Sequence, residues 1–538
     1  MKSYHKRMPP LIGILVIFIL GLEILFMTKD FFPQKITACT DPRETYETYD
    51  VFSAEGPMTR FRNLVDGYSI AVPRGMKADM SRGDLCAVLT DETTRMEIYR
   101  QPTPTPEEQE SYIYYSNGFM DNKIDHKVSV NELRKFGKNN ALVTAWERKP
   151  ASAIPKDYNH YLSFDILMKE NTFSVLIKST EPIDPSYYAP MIAGFKAEKP
   201  TKTYHPPRTR AVNMENRGWN KETEAFYRQY FSDDAETVFG LFEPEFCAFR
   251  YENYERIEKR LDYDFPVMVM YNHIEKEEDL DNLKAILTES YRRGKILELT
   301  LQTTDAQPGE GNTVYAILRG EYDDRLREYA EIVSEFDHPV LFRLGNEMNG
   351  DWCAYFGYQT GKDTLVFREF YRYIYRIFEE AGADNVIWVW NPNGESKPPF
   401  RWNDALAYYP GDEYVDVIGL TAYNTGTYYN DVGEKWRTFK ELYDDIYANY
   451  SEWFGQPMMI TEFSCSAMGG DKAAWITDMF EELKNYPDIK LAIWWDGCDY
   501  DKNGNIARSY FIDDSEEVLD AFYQGLHPLE NGDSSYEK

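Results

Sequence analysis

The sequence predicts an α/β chain whose larger part is a (β/α)8, or TIM, barrel, preceded by a small α+β domain and an N-terminal transmembrane helix. Three observations carry this expectation: eight short apolar runs separated by helix-length segments over residues 213–528, a stretch of alternating strands ahead of them, and an apolar run behind basic residues at the N-terminus. A chain of 538 residues exceeds what one hydrophobic core usually supports, so more than one folded unit is expected.

Taken in order, Lys2, Lys6 and Arg7 precede LIGILVIFILGLEILFM, Leu11 to Met27, which is interrupted only by Glu23. This length is at the short end for a spanning helix. A cleaved leader should end in small residues, whereas TKDFFPQK follows, so residues 1–30 read as an uncleaved signal-anchor rather than a secreted protein's leader. Basic residues ahead of the segment keep the N-terminus cytoplasmic and place the rest of the chain outside a cell membrane. Residues from Thr28 to about Glu55 read as a polar tether.

Residues 56–198 then alternate with period two in YSIAVP, LCAVLT, RMEIYRQ, ALVTAWE, YLSFDILMK and TFSVLIKS, which predicts an antiparallel sheet. Two capped segments, beginning at Pro104 and Asp184, predict helices. No catalytic constellation stands out there, and a spacer is the simpler reading. Residues 199–212 read as a linker, since EKPTKTYHPPRTR, Glu198 to Arg210, is rich in Pro, Lys and Thr.

Beyond it come ETVFGLF, PVMVMYN, ILELTLQ, PVLFRLGNE, NVIWVWN, VDVIGLTAYN, PMMITEF and LAIWWDG. Near-continuous apolar strands imply a parallel sheet covered on both faces. The clearest intervening helix has Asp363 as N-cap, Val366, Phe370, Ile374 and Phe378 at four-residue spacing, and Gly382 as its stop. Eight such units predict a closed barrel, and no Gly-rich phosphate loop follows the first strand to favour a doubly wound sheet.

Acidic residues number 90 against 59 basic ones, a formal net charge of −31, and such a field repels nucleic-acid phosphates. No nucleic-acid partner is expected. The six cysteines are scattered without a C-x-x-C pair and only seven histidines occur, so neither a metal nor another cofactor is indicated.

Barrel enzymes gather their reactive groups at the C-terminal ends of strands. That rule selects Glu347 after the fourth strand and Glu462 after the seventh, with Asn346, Tyr423 and Trp494 or Trp495 on neighbouring ends. Two facing carboxylates are what glycosidic cleavage needs: one protonates the departing oxygen, and the other attacks the anomeric carbon or activates water. A single strand-end Glu could instead cap the next helix or pair with a buried arginine such as Arg343. Of the adjacent Trp494 and Trp495, only one can face the barrel interior.

RLGNEMNGDW, GADNVIWVWNPN, VDVIGLTAYN and MMITEF, in this order, resemble glycoside hydrolase family 26, the β-mannanase family within the clan of retaining (β/α)8 glycosidases. The resemblance spans roughly residues 213–525. It implies Glu347 as acid/base, Glu462 as nucleophile, Arg343 and Tyr423 as groups that orient Glu462, Trp352 at a sugar subsite, and an inward tryptophan of the eighth strand as sugar floor. It also implies a β-1,4-mannan substrate, yet Asn346 stands where mannanases of this family carry His, so β-glucan and xylan stay open. A membrane-tethered polysaccharide-binding protein without turnover is the alternative from another class.

Overall fold

The computed structural model describes residues 48–52, 56–206, 217–275, 280–303 and 311–528. The anchor expected at residues 1–30, Cys39, and the later part of the expected linker lie outside them. Among the described residues no helix is long and apolar enough to cross a membrane.

The eight expected barrel strands are present as β1 (Val238–Phe242), β2 (Val267–Ile274), β3 (Ile296–Thr303), β4 (Val340–Leu344), β5 (Val386–Trp390), β6 (Val417–Asn424), β7 (Met458–Cys465) and β8 (Ile489–Trp495). Each pairs in parallel with the next, and β1 pairs with β8, so the sheet closes. Its interior holds Val267, Val269, Leu341, Ile387, Val389, Met459, Leu491 and Ile493, while the residues alternating with them pack against the helices, as a two-residue side-chain period requires. The helix Thr364–Glu380 runs as expected: the Asp363 carboxylate accepts the Leu365 N–H, and Gly382 takes φ +71° after the last turn.

The preceding domain holds two antiparallel sheets. The larger orders its strands as Lys77–Asp79, Cys86–Thr90, Thr94–Pro102, Asn171–Ser179, His160–Leu167, Asn139–Glu147 and Lys127–Phe136. The smaller contains Tyr49–Phe52, Met58–Asn63, Tyr68–Pro73 and Lys196–Ala197, so the tether expected up to Glu55 instead contributes an edge strand. The helices Pro106–Ser116 and Pro185–Ala193 lie where capping signals put them.

The central strands of the larger sheet are apolar on both faces. Ala87, Leu89, Met96 and Ile98 enter the domain's own core, while Cys86, Val88 and Tyr99 join Tyr112 and Ala151 in the core of the barrel's helical layer. From Thr48 onward the chain therefore forms one compact unit. The segment after Lys199 packs closely as well: Tyr204 donates to the Ser81 carbonyl at 2.6 Å and stacks on Trp453. The cysteines Cys86, Cys247, Cys353, Cys465 and Cys498 are all free thiols.

Candidate active site

The C-terminal strand ends of the barrel open into a cleft of about 1130 Å³ lined by both Glu347 and Glu462, together with Asn346, Trp352, Tyr423 and Trp495. The two carboxylates sit in unlike surroundings. Glu462, on β7, faces cationic and phenolic groups: Arg343 Nη2 lies 3.3 Å from its Oε2, and the Tyr271 hydroxyl donates to the same oxygen. Among the described residues, Glu347 accepts hydrogen bonds only from neutral donors, with Asn393 Nδ2 at 2.5 Å from Oε1 and Trp352 Nε1 at 3.0 Å from Oε2.

Burial and then the nearby charge of Glu462 push the Glu347 carboxyl up to about 7, against the opposing hydrogen bonds from Asn393 and Trp352. Glu347 neither caps a helix nor pairs with Arg343. Its backbone lies at φ +53° just after Gly345 at φ +56°, a conformation that costs an L-residue about 1–2 kcal/mol and occurs preferentially at functional sites. Its own N–H donates to the Asn391 carbonyl at 2.7 Å, which ties this turn to the end of β5.

Arg343 is fully buried in β4 and serves two anions. Its Nε lies 2.6 Å from Glu298 Oε1 and 2.8 Å from Thr300 Oγ1, and Nη1 reaches Asn391 Oδ1 at 3.1 Å. Glu298 is itself fully buried on β3, and desolvation pushes its carboxyl up to about 7 despite the guanidinium.

Tyr423 takes another place than the family resemblance implied. Tyr423 makes no described hydrogen bond to Glu462; it packs beside Trp495 and Tyr510, and it is Tyr271 from β2 whose hydroxyl crosses the barrel mouth to that carboxylate. Of the two tryptophans of β8, Trp495 faces the cleft and stacks on Phe242 at 5.3 Å, whereas Trp494 is buried among Phe463, Trp475 and Phe522 in the helix-facing core. Trp494 therefore leaves the set of candidate sugar contacts. Asn346 is fixed through its Oδ1, which accepts from Gln302 Nε2 at 2.6 Å, leaving its amide N–H2 without a described partner at the cleft wall.

Tyr271, His273, Gln302 and Asn393 also line the cleft and were not singled out from sequence. His273, Gln302 and Asn393 sit close to or just after the ends of their strands, so testing all eight strand ends for polar residues would have found them, whereas Tyr271 lies inside β2. Among the described residues no cluster of His, Cys, Asp and Glu could hold a metal ion.

The Trp352 hydrogen bond has a testable effect on acidity. Because it stabilises the ionised form of Glu347, Trp352→Phe, which keeps an aromatic face but lacks the N–H, should raise the Glu347 pKa further. The basic limb of the pH–activity profile should then move upward, measured as kcat/KM against pH.

A closed barrel with two carboxylates of unequal environment at one mouth defines a candidate acid/base and nucleophile enzyme of the (β/α)8 class. Residues 303–453, which contain Glu347 and end before Glu462, match Glycosyl hydrolase family 26. Endoglucanase H of Acetivibrio thermocellus is 30% identical over 239 residues, covering 44% of this chain and 25% of that protein. A mannan endo-1,4-beta-mannosidase of Bacillus subtilis is 36% identical over 94 residues, covering 16% and 24% respectively. Beta-1,3-xylanase TXYA of a Vibrio species is 28% identical, covering 27% of this chain and 30% of its own length. These matches show the barrel to be similar to glycosyl hydrolase family 26 over the part they cover, and the chain spans only about a quarter to a third of the length of these relatives.

Proposed function

We propose that the barrel is a retaining glycoside hydrolase that cleaves a β-linked polysaccharide by double displacement. The observation that carries this reading is the asymmetry of the two cleft carboxylates: Glu462 is ion-paired to Arg343, while Glu347 has only neutral hydrogen-bond partners among the described residues and a carboxyl raised to about 7. A proton donor must hold its proton near neutral pH, and a nucleophile must be ionised and aimed.

In the first step the Glu347 proton passes to the glycosidic oxygen as the C–O bond breaks and a Glu462 carboxylate oxygen bonds the anomeric carbon. Once that carboxylate becomes a neutral ester, its charge no longer raises the Glu347 pKa, and Glu347 becomes a competent base. In the second step Glu347 takes a proton from water, which attacks the anomeric carbon, releases Glu462 and restores the original configuration. Trp495 and Trp352 offer flat apolar faces to pyranose rings, and the free Asn346 amide is suited to donate to a sugar hydroxyl beside the reacting carbon.

β-1,4-Mannan is the substrate the family resemblance favours, and the names of the relatives also include glucan- and xylan-directed enzymes. Reducing-end release from β-mannan, mixed-linkage β-glucan and xylan tests the proposal and selects among them. Release from none of the three would leave a non-catalytic polysaccharide-binding protein as the better reading. Activity should fall as pH rises through about 7, because Glu347 must be protonated to act as acid, and the check is the basic limb of kcat/KM.

The N-terminal apolar run supports a single-pass anchor that leaves the barrel outside the cell membrane. Recovery of the full chain in the membrane fraction, with the barrel digestible by protease added to intact cells, tests this placement.

A further inference from the structure

The loop from Gly345 to Asp363 carries Glu347 and Trp352, and it is held from two sides. On the barrel side, the Glu347 N–H donates to the Asn391 carbonyl at 2.7 Å, and Asn349 Nδ2 donates to the Asn393 carbonyl at 2.9 Å. On the other side stands the α+β domain of residues 56–198. The Tyr115 hydroxyl, from helix Pro106–Ser116, donates to Asp351 Oδ2 at 2.9 Å, one residue from Trp352.

At the far end of the loop, Lys178 Nζ is fully buried between Glu97 at 2.9 Å and Asp363 Oδ1 at 2.7 Å, and the Tyr161 hydroxyl donates to Asp363 Oδ2 at 2.9 Å. Lys362, next to it, is buried at φ +61° and donates to Asn117 Oδ1 at 3.2 Å. Glu347 and Lys362 are thus both left-handed non-glycine residues, and such conformations persist only when surrounding contacts over-determine them.

A spacer has no need of a buried lysine shared between its own glutamate and the N-cap of a barrel helix. Burying such charges is costly unless each is paired, so this junction has one register in which the charges are matched. We propose that the α+β domain is a working part of the active site, in which Tyr115 and Lys178 are positioning residues. Through Asp351 and Asp363 they hold the 345–363 loop in the conformation that presents Trp352 and Glu347 to the cleft.

This inference rests on the hydrolase reading, so the test separates the two. In the full chain, Tyr115→Phe, Asp351→Ala, Asp351→Asn and Lys178→Met are compared on the cleaved polysaccharide and on an aryl glycoside whose leaving group needs no protonation. If the clamp positions the acid, kcat/KM on polysaccharide should fall about three- to tenfold in Y115F and D351A, with the aryl glycoside much less affected. D351N, whose amide oxygen still accepts from Tyr115, should behave as wild type. K178M should show the largest ratio change where it folds.

Hydrogen exchange read peptide by peptide should accelerate across 345–363 in Y115F and D351A, with β7 and β8 unchanged. Equal losses on both substrates, or unaltered exchange in the loop, would overturn the positioning role and leave the domain as support only. A wild-type chain that cleaves neither substrate would instead sink the hydrolase reading, and the exchange data would still decide the clamp.

Discussion

Removing the Glu462 carboxylate should abolish turnover on every substrate, with kcat falling by a factor on the order of 10⁴ or more, as losses of a covalent nucleophile do. Glu347→Ala should behave differently. Its loss on polysaccharide should be on the order of 10²–10⁴, the usual contribution of a general acid, yet an aryl glycoside with a good leaving group should still form the glycosyl-enzyme. The second step would then be slow for lack of a base, so a burst of released phenol followed by a low steady rate is expected. Azide should rescue both variants with opposite stereochemistry. In Glu347→Ala it attacks the glycosyl-enzyme and gives a β-glycosyl azide; in Glu462→Ala it occupies the vacated face and gives the α-anomer. Product anomers read by NMR decide the assignment, and matching anomers from the two variants would refute it.

The barrel was legible in the sequence because a parallel strand covered on both faces must be apolar at nearly every position, and runs such as NVIWVW and PMMITEF have few other ways to fold. The missed strands of the first domain lack that signal. In Lys127–Phe136 most side chains are exposed on the edge of the larger sheet, and Met58–Asn63 alternates arginines with residues that are buried only in context. Each is held instead as one arm of an antiparallel hairpin, Lys127–Phe136 against Asn139–Glu147 and Met58–Asn63 against Tyr68–Pro73, so backbone pairing rather than an apolar run makes the strand.

Within the site, Glu347 and Glu462 stood out as charges at the ends of apolar runs. Tyr271 did not, since a tyrosine in a strand is ordinary, and only the closed barrel directs its hydroxyl at Glu462. The exchange of Tyr423 for Tyr271 therefore rests on geometry across the barrel mouth. Arg343 and Glu298 carried a usable sign: a charge inside an apolar strand must find a counter-charge. Cross-strand register places Arg343 beside Thr300, two residues beyond Glu298 and on the same face of β3.

That pair leads to the prediction with the largest effect on folding. Arg343→Met removes the cation shared by Glu298 and Glu462 while keeping much of the side chain's volume. Glu298 already has one oxygen, Oε2, without a described hydrogen bond, and it has no access to solvent. Breaking a buried ion pair in this one-sided way typically costs about 3–5 kcal/mol, a large part of an ordinary domain's stability. Chemical denaturation should show the loss as a lower midpoint.

The deficit should depend on pH with a definite sign. A carboxyl whose folded-state pKa lies above its unfolded value contributes stability that is present below the unfolded pKa and is lost as pH rises through the folded one. In wild type that window for Glu298 runs from about 4.5 to about 7, and removing the guanidinium, whose charge lowers the Glu298 pKa, moves its upper edge higher. Arg343→Met should therefore be closest to wild-type stability near pH 5 and furthest from it near pH 8. Adding Glu298→Met removes the buried acid itself, so the double variant should regain most of the stability at pH 8. It should not regain activity, because Glu462 would still lack the guanidinium that orients it. A double variant no more stable than Arg343→Met would mean that the charge chain Glu298–Arg343–Glu462 is not what holds this part of the barrel together.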